Sequence, residues 1–195
     1  MTVRKKFNQV YQFNITLMNT RPPVWRRIQV PENFTFWDLH VAIQDSMGWL
    51  DYHLHGFKII DPASGWNKSI GIPDEDDMFG MDMLPDWKQK MSAWFTPANP
   101  KAKYIYDFGD DWIHELLLEK IVPRQEGVEY PLCLAGKMAC PPEDCGGTWG
   151  YGDICKGKSE FQSDFKDYNP AYFDPKKVVF EDSKKRFKVA FGRGP

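Results

Sequence analysis

The sequence lacks an apolar run that could cross a membrane, because no run approaches the roughly 20 residues that a bilayer requires. The first ten residues, MTVRKKFNQV, include basic residues but lead into no apolar segment or cleavage site, so we expect no signal peptide. Cysteine is scarce, with four among 195 residues. We therefore expect a cytoplasmic protein without a membrane partner, in which clustered cysteines favour metal or redox roles over disulfides.

Signatures of several enzyme classes are also missing. The sequence contains neither the G-x-x-x-x-G-K-[ST] phosphate-binding loop nor the G-x-S-x-G elbow of hydrolases. Asp107–Phe108–Gly109 spells a kinase tripeptide, but no glycine-rich loop or H-R-D segment accompanies it. His114–Glu115 begins an H-E-x-x-H zinc motif, yet position 118 is leucine. These absences favour a protein that is not an enzyme.

Apolar residues make up 42% of the chain and aromatic residues 15%, which is enough for a core and excludes wholesale disorder. The length of 195 residues suits a single domain over residues 1–195. The net charge of −2 hides a basic end, since residues 176–195 contain seven Lys or Arg against two acidic residues. Such a segment could contact nucleic acid or form a solvated final helix.

Alternation of apolar and polar residues predicts strands near the N-terminus. VYQFNITL at 10–17 and VWRRIQV at 24–30 both have a period of two, and the NTRPP segment between them predicts a β-hairpin. Thr35 then predicts a helix N-cap with Asp38 three positions on, and Gly48 predicts the helix end. Apolar residues recur between the caps at helical spacing: Phe36, Leu39, Ile43 and Met47.

The second half of the chain is less regular. HLHGFKII at 53–60 predicts a third strand, and residues 103–106 and 112–122 predict a second hairpin with Gly109 in its turn. Residues 61–100 are interpreted as an insertion with an acidic run at 74–77 and a short helix around 87–95. Near the end, residues 178–180 predict a late strand and Asp182 predicts the cap of a C-terminal helix.

This order of elements predicts an α+β fold with one helix packed across a mixed β-sheet, in a β-grasp-like ββαβ…ββ core. The core is expected over about residues 8–122, interrupted by the insertion at 61–100. An irregular loop rich in Cys, Pro and Gly follows at 123–170, and a C-terminal strand and helix segment occupies 171–195.

Several longer phrases resemble one protein family over nearly the whole chain. They are PVWRRIQVP at 23–31, LHVAIQDSMG at 39–48, HLHGF at 53–57, YDFGDDWIHE at 106–115, YPLCLAGKMACPPEDCGG at 130–147 and FDPKKVVFEDSKKRFKVAF at 173–191. On these phrases the chain resembles the plasmid pRiA open-reading-frame-three-like family. The resemblance implies a single α+β domain, in a family where some members carry a resolvase label or lie beside DNA-binding modules. The serines of this chain do not support a serine resolvase, because none lies among arginines.

The segment ACPPEDCGG at 139–147 is the first candidate for chemistry. The chain's four cysteines, Cys133, Cys140, Cys145 and Cys155, are separated by six, four and nine intervening residues. The C-x4-C spacing of the middle pair is within the range of zinc knuckles. Paired C-x2-C knuckles are absent, so a structural loop with buried cysteines and a redox disulfide remain alternatives. The resemblance covers Cys133, Cys140 and Cys145 but not Cys155, so a zinc site would need a histidine to complete it.

Three histidines are candidates to complete such a site. His53 and His55 are two apart on the predicted strand and so point to one face, where they could bind a metal or lie at the core edge. His114 lies on the second hairpin. Four carboxylates near it could hold a cation, but aspartate and glycine are also typical of a turn, which we favour. They are Asp107, Asp110, Asp111 and Glu115.

Basic residues are the candidates for contact with nucleic acid or a protein partner. They are Arg26, Arg27, Lys184, Lys185, Arg186 and Lys188. The sequence thus favours a non-enzymatic binding or adaptor domain without a cofactor, associated with nucleic-acid or mobile-element processes. The alternatives are a metal-dependent zinc enzyme and a zinc-stabilised protein–protein interaction module. A protein-contact surface would comprise residues 61–100 and 139–152.

Overall fold

The computed structural model describes residues 7–73, 83–159, 165–192 and 194. Within these ranges the chain forms eight strands and three α-helices. The strands are β1 (Gln9–Leu17), β2 (Val24–Pro31), β3 (His55–Ile60), β4 (Asn67–Gly71), β5 (Met83–Pro85), β6 (Lys101–Tyr106), β7 (Trp112–Pro123) and β8 (Leu132–Lys137). The helices are α1 (Phe36–Met47), α2 (Gly147–Cys155) and α3 (Ser183–Phe191). The predicted acidic run at 74–77 lies outside the described residues.

The strands form one sheet in the order β5-β4-β3-β6-β7-β1-β2-β8. Neighbouring strands are antiparallel, except that β4 and β5 run parallel. Both predicted hairpins are present, as β1–β2 and as β6–β7 with Gly109 in the turn. The α+β class with a mixed sheet is therefore confirmed, whereas the β-grasp detail stays a prediction.

Helix α1 begins and ends where the sequence predicts. The Thr35 side chain accepts from the backbone N–H of Asp38, whose carboxylate accepts from the backbone N–H of Thr35, so the capping box is complete. Gly48 ends the helix with a φ of 101°, a left-handed conformation that glycine adopts without a steric penalty.

Helix α1 lies between the sheet and α3. Phe36, Leu39 and Ile43 belong to the main core against the sheet. Trp37, on another side of α1, packs with Phe187 of α3 in a smaller cluster. This placement accounts for the nearly complete burial of α1. No helix in the described ranges is both long and apolar enough to cross a membrane.

The helix predicted around 87–95 is wrong in extent, because the chain there forms two short 3-10 turns, Asp86–Lys88 and Met91–Ala93. The segment between the turns is extended and pairs with the chain just before α1. Phe36 N donates to Gln89 O, and Met91 N donates to Phe34 O, each at 3.0 Å. Backbone groups that form hydrogen bonds to a neighbouring segment in this way cannot also form the hydrogen bonds of an α-helix.

The segment 123–170 is less irregular than predicted. It contributes β8, which extends the sheet beside β2, and the helix α2. Conversely, the late strand predicted at 178–180 does not form. Val178 and Phe180 do pack against the core, with Val179 facing solvent, but these residues have no neighbouring strand to pair with in the described sheet.

Candidate functional site

In the part of the chain that the structure describes, the cysteines do not gather into a metal site. Cys133 is buried on β8, Cys140 and Cys145 are partly buried, and Cys155 is exposed; all are free thiols. Burial raises the pKa of the Cys133 and Cys140 thiols and raises that of Cys145 to about 12. No group of three neighbouring metal-binding side chains in the described ranges contains a cysteine. A buried thiol such as that of Cys133 acts as a small apolar group.

Arg26 lies beside these thiols in the interior of the protein. Its side chain is fully buried, and the Phe173 ring centroid is 3.7 Å from its Cζ atom. The guanidinium donates to four main-chain carbonyl oxygens at 2.7–3.1 Å, those of Trp25, Ser46, Lys137 and Met138. Burial lowers its pKa. Arg26 therefore has no surface to offer a nucleic acid in this structure.

The other basic candidates divide into paired arginines and exposed lysines. Arg27 makes two hydrogen bonds of 2.7 Å to the Glu119 carboxylate. Arg186 pairs with Asp45 at 2.7 Å and with Glu181 at 2.8 Å. The lysine candidates on α3, Lys184, Lys185 and Lys188, are exposed. All three arginine candidates are thus held by groups of the chain itself.

His114 points into the core from β7 and does not approach the other candidate ligands. Its ring packs against Trp49 and Tyr104, with ring centroids 5.3 Å away in both cases. Burial lowers its pKa to about 3, so the imidazole is neutral at pH 7. Neither ring nitrogen has a hydrogen bond of good geometry within the described ranges. The apolar periodicity of β7 places it there, since Trp112 and His114 share one face.

His55, the first residue of β3, is also buried and stacks on His40 of α1. The ring centroids are 3.4 Å apart and the ring planes are inclined by 6°. His55 Nε2 lies 2.7 Å from Asp86 Oδ2, and His40 Nε2 lies 2.9 Å from Asp51 Oδ1. Burial and the adjacent His55 lower the pKa of His40 to about 4, so His40 is neutral at pH 7.

The donors and acceptors in the hydrogen bonds around His40 can be assigned in one consistent way. A neutral His40 that donates Nε2–H to Asp51 must accept at Nδ1, where the Tyr104 hydroxyl lies 2.9 Å away. Gln44 in turn donates to the Tyr104 hydroxyl at 2.8 Å. Burial raises the pKa of Asp51, but the hydrogen bond from His40 and nearby positive charge, including that of Arg186, bring it below its usual value. Both ring nitrogens of His40 therefore have a partner within this buried network.

This inner network is poorly arranged to chelate a metal. His40, Asp51 and His55 do offer ligand atoms within 4.8 Å of one another. However, an imidazole binds a metal through a lone pair in the plane of its ring. Two nearly parallel rings 3.4 Å apart cannot both direct such a lone pair at one ion.

His53 lies in the loop before β3, so it does not share a face with His55 as the sequence predicts. Its Nε2 atom is 2.9 Å from Asp144 Oδ1 and 3.7 Å from Asp107 Oδ2. The ligand atoms of these three side chains all lie within 4.8 Å of one another. His53 Nε2 is itself enclosed and has no hydrogen bond of good geometry among the described residues. This outer cluster reaches the surface, since the Asp144 side chain is 68% exposed.

Two loops and a third that runs into the first turn of α2 meet at the outer cluster, and we call residues 49–54, 107–111 and 141–149 the three-loop surface. Hydrogen bonds of 2.7–3.2 Å join the loops in pairs: Leu50 N to Glu143 Oε1, Asp107 N to Leu54 O, and Gly146 N to Asp110 Oδ2. Loops held to one another in this way keep their side chains in a fixed arrangement, which binding sites require.

Backbone strain is concentrated on the three-loop surface. Six non-glycine residues in the described ranges have a positive φ, and four of them lie there: Asp51, Asp107, Asp111 and Asp144. Their φ values of 52–62° are left-handed, a conformation that aspartate tolerates better than most residues at some cost. Strain of this kind collects at functional sites.

The three-loop surface also exposes large apolar side chains beside its carboxylates. Trp149 is 88% exposed and Tyr52 is 70% exposed, and Leu50 and Leu54 flank Tyr52 with more than a third of their surface in solvent. Four carboxylates of this surface have no ion pair with Lys or Arg among the described residues: Asp110, Asp111, Glu143 and Asp144.

The sequence predicts His53 and Asp107 as candidate residues, but it does not predict that they lie beside each other or that His53 lies beside Asp144. Glu143 and Asp144 lie inside ACPPEDCGG, a segment in which the sequence predicts only the cysteines as possible ligands. The predicted turn at Asp107 is present, and the same turn holds Asp107 beside His53. His40 shows no signal in the sequence, because it lies on a helix with an otherwise ordinary apolar pattern.

Comparison with known proteins agrees with this architecture. A family profile described as plasmid pRiA4b ORF-3-like protein matches residues 9–181. The chain is 34% identical over 152 residues to the "Uncharacterized protein y4hQ" of Sinorhizobium fredii, covering 77% of this chain and 74% of that protein. It resembles the crystal structure of a protein of unknown function, MM3350 from Methanosarcina mazei Go1, at 44% identity and a TM-score of 0.82, over 90% of this chain and 100% of that one. The chain therefore belongs to the plasmid pRiA4b ORF-3-like protein family.

Proposed function

We propose that this chain is a binding module that recognises a positively charged protein segment through the three-loop surface. The observation that carries the proposal is the placement of Trp149 and Tyr52, both largely exposed, beside carboxylates that have no Lys or Arg partner in the described chain. An exposed apolar patch with a polar rim is typical of an interaction site.

The chemistry of the surface indicates the kind of partner. Tryptophan and tyrosine supply much of the affinity in protein interfaces, because they bury large areas and lose little side-chain entropy. Their ring faces also attract Lys and Arg side chains through cation–π contacts. Carboxylates such as Asp110 and Asp111 would pair with the same cations. A segment that alternates basic and apolar residues satisfies both features.

A nucleic acid fits this surface less well. Phosphates would be repelled by Asp110, Asp111, Glu143 and Asp144. The arginines expected to bind nucleic acid are buried, as Arg26 is, or paired with carboxylates. Of the basic candidates, the α3 lysines alone leave a basic face exposed in the described chain. Nucleic-acid binding is therefore the competing outcome of the test below.

The test uses two fluorescent probes, a peptide of alternating arginine and leucine and a single-stranded oligonucleotide, each titrated with the purified chain in a chelating buffer. We expect the peptide to bind and its affinity to fall as ionic strength rises. Trp149→Ala should weaken peptide binding by about tenfold or more, as expected for an interface hot spot. Asp111→Asn should also weaken it, since asparagine keeps the left-handed backbone while removing the charge.

The matched control is Trp66→Ala, because Trp66 is 76% exposed but lies at the turn between β3 and β4. This variant should bind the peptide like the parent protein. The proposal fails if Trp149→Ala and Trp66→Ala bind alike. It is replaced by the nucleic-acid alternative if only the oligonucleotide binds and the triple variant Lys184→Glu, Lys185→Glu, Lys188→Glu abolishes that binding.

A further inference from the structure

We propose that His53, Asp107 and Asp144 form a binding site for a divalent metal ion, with zinc as the best-fitting ion. The site lies on the three-loop surface, but it needs no partner molecule and stands whether or not the peptide-binding proposal holds. One imidazole nitrogen and two carboxylate oxygens are a ligand set that zinc accepts, and three protein ligands leave a coordination position for water or a ligand.

The distances suit a small ion. A tetrahedral zinc ion about 2.1 Å from each ligand atom holds those atoms about 3.4 Å apart. The distances from His53 Nε2 are 2.9 Å to Asp144 Oδ1 and 3.7 Å to Asp107 Oδ2, and no pair of ligand atoms in the cluster exceeds 4.8 Å. An ion can therefore be accommodated by side-chain shifts of about an ångström.

The second observation is the position of His53 Nε2 between two carboxylates. This atom is enclosed, faces two carboxylates and has no hydrogen bond of good geometry in the described chain. A cation between Nε2 and the two carboxylates would neutralise negative charges that no Lys or Arg balances in the described ranges.

The surroundings hold the ligands in place, as a metal site requires. Asp107 Oδ1 accepts from Gly109 N at 2.8 Å, which leaves Oδ2 to face His53. The His53 ring packs edge-on against Tyr106, with ring centroids 5.9 Å apart. Asp107 and Asp144 come from separate loops, and each has a carboxylate oxygen within 3.7 Å of His53 Nε2.

Zinc is preferred over calcium, magnesium and manganese for a chemical reason. Imidazole is a good ligand for zinc and a poor one for calcium or magnesium, which select oxygen ligands. Manganese accepts both ligand types but binds more weakly than zinc in the same site. We therefore expect the affinity order zinc, then manganese, then calcium.

The experiment is isothermal titration of the chelator-treated full chain with zinc chloride, followed by metal analysis of the dialysed protein. We expect about one zinc ion per chain. Asp144→Ala and His53→Ala should each weaken binding by about a hundredfold or more, because each removes one of three ligands. Thermal unfolding of both variants checks that they fold.

Two control variants distinguish this site from zinc binding elsewhere on the chain. Asp153→Ala removes a carboxylate from the nearby helix α2, which is paired with Lys156, and should leave zinc affinity unchanged. The double variant Cys145→Ala, Cys155→Ala should also keep the zinc. The proposal is overturned if zinc does not bind below about 1 mM, or if His53→Ala keeps full affinity. Because the peptide titration is done in a chelator, failure here leaves the proposed partner untouched.

Discussion

His114 and His53 differ in their surroundings, and this difference separates a core histidine from a candidate ligand. The His114 ring lies within the core with both nitrogens enclosed, whereas His53 is part of a cluster that reaches solvent. Sequence spacing alone groups them as possible ligands, because it cannot show which imidazole faces water. The difference has measurable consequences for single substitutions.

The first prediction concerns acid stability. An unfolded histidine titrates near pH 6.5, whereas the pKa values of His114 and His40 are lowered to about 3 and about 4 in the folded protein. As the pH falls below 6.5, the unfolded chain takes up protons that the folded chain does not, so stability is lost. Each histidine contributes a slope of up to about 1.4 kcal/mol per pH unit.

His114→Leu should therefore flatten the pH dependence of the free energy of unfolding by about 1.4 kcal/mol per pH unit between about pH 4 and 6. Urea unfolding across this range measures the slope. The variant should be relatively more stable at pH 4 than at pH 7, compared with the parent. An unchanged slope would show that His114 is protonated in the folded state, contrary to its burial.

The second prediction compares two adjacent arginines. Arg26 is fully buried and bonded to four carbonyl oxygens, whereas Arg27 is partly exposed and paired with Glu119. Arg26→Met should cost about 3 kcal/mol or more, since hydrogen bonds of a buried charged group are lost and several buried carbonyls lose a donor. Arg27→Met should cost about 1 kcal/mol or less. Equal losses in urea unfolding would contradict the structural role of Arg26.

At the scale of elements, α2 shows how tertiary contacts override local preference. Its sequence, GTWGYGDIC, contains three glycines and would be a poor isolated helix. A β-carbon on Gly150 would overlap the Cys145 carbonyl oxygen, so the chain can turn tightly into this helix only with glycine there. The turn in question carries Asp144.

Gly150→Ala should therefore disrupt the turn from Asp144 to α2 and weaken zinc binding together with stability. Gly152→Ala is the matched control, because its nearest new contact is the tip of Lys156 at 3.9 Å. Alanine should be neutral or slightly stabilising there, as in any helix interior. The two variants are compared by thermal unfolding and by zinc titration, and equal behaviour would contradict the tight approach at Gly150.

The elements that could be predicted are those with strong local signals. β1 and β2 alternate cleanly, α1 has a full capping box and a C-terminal glycine, and the β6–β7 turn is rich in Asp and Gly. β8 and α2 could not be predicted, because a short edge strand and a glycine-rich helix form only against the rest of the fold. Residues 178–180 show the opposite case: their side chains alternate between the core and solvent, but no strand forms there because the described sheet offers no neighbouring strand for pairing.

At the scale of the whole molecule, the outer cluster is a product of topology. His53, Asp107 and Asp144 come from loops before β3, after β6 and before α2, and no pattern in the sequence links positions so far apart. The sequence supplied His53 as a candidate and Asp107 as a turn residue. Only the antiparallel pairing of β3 with β6 and the docking of the 141–149 loop bring them together.

The most direct test of this placement is anomalous X-ray diffraction from crystals of the full chain grown with zinc chloride. We expect one strong zinc peak within about 2.3 Å of His53 Nε2 and of a carboxylate oxygen from Asp107 and Asp144. The peak should disappear in His53→Ala crystals grown in the same way. Zinc bound instead at the cysteines or in the His40–His55 stack, or no ordered zinc at all, would contradict the assignment of the three-loop surface as the metal site of this protein.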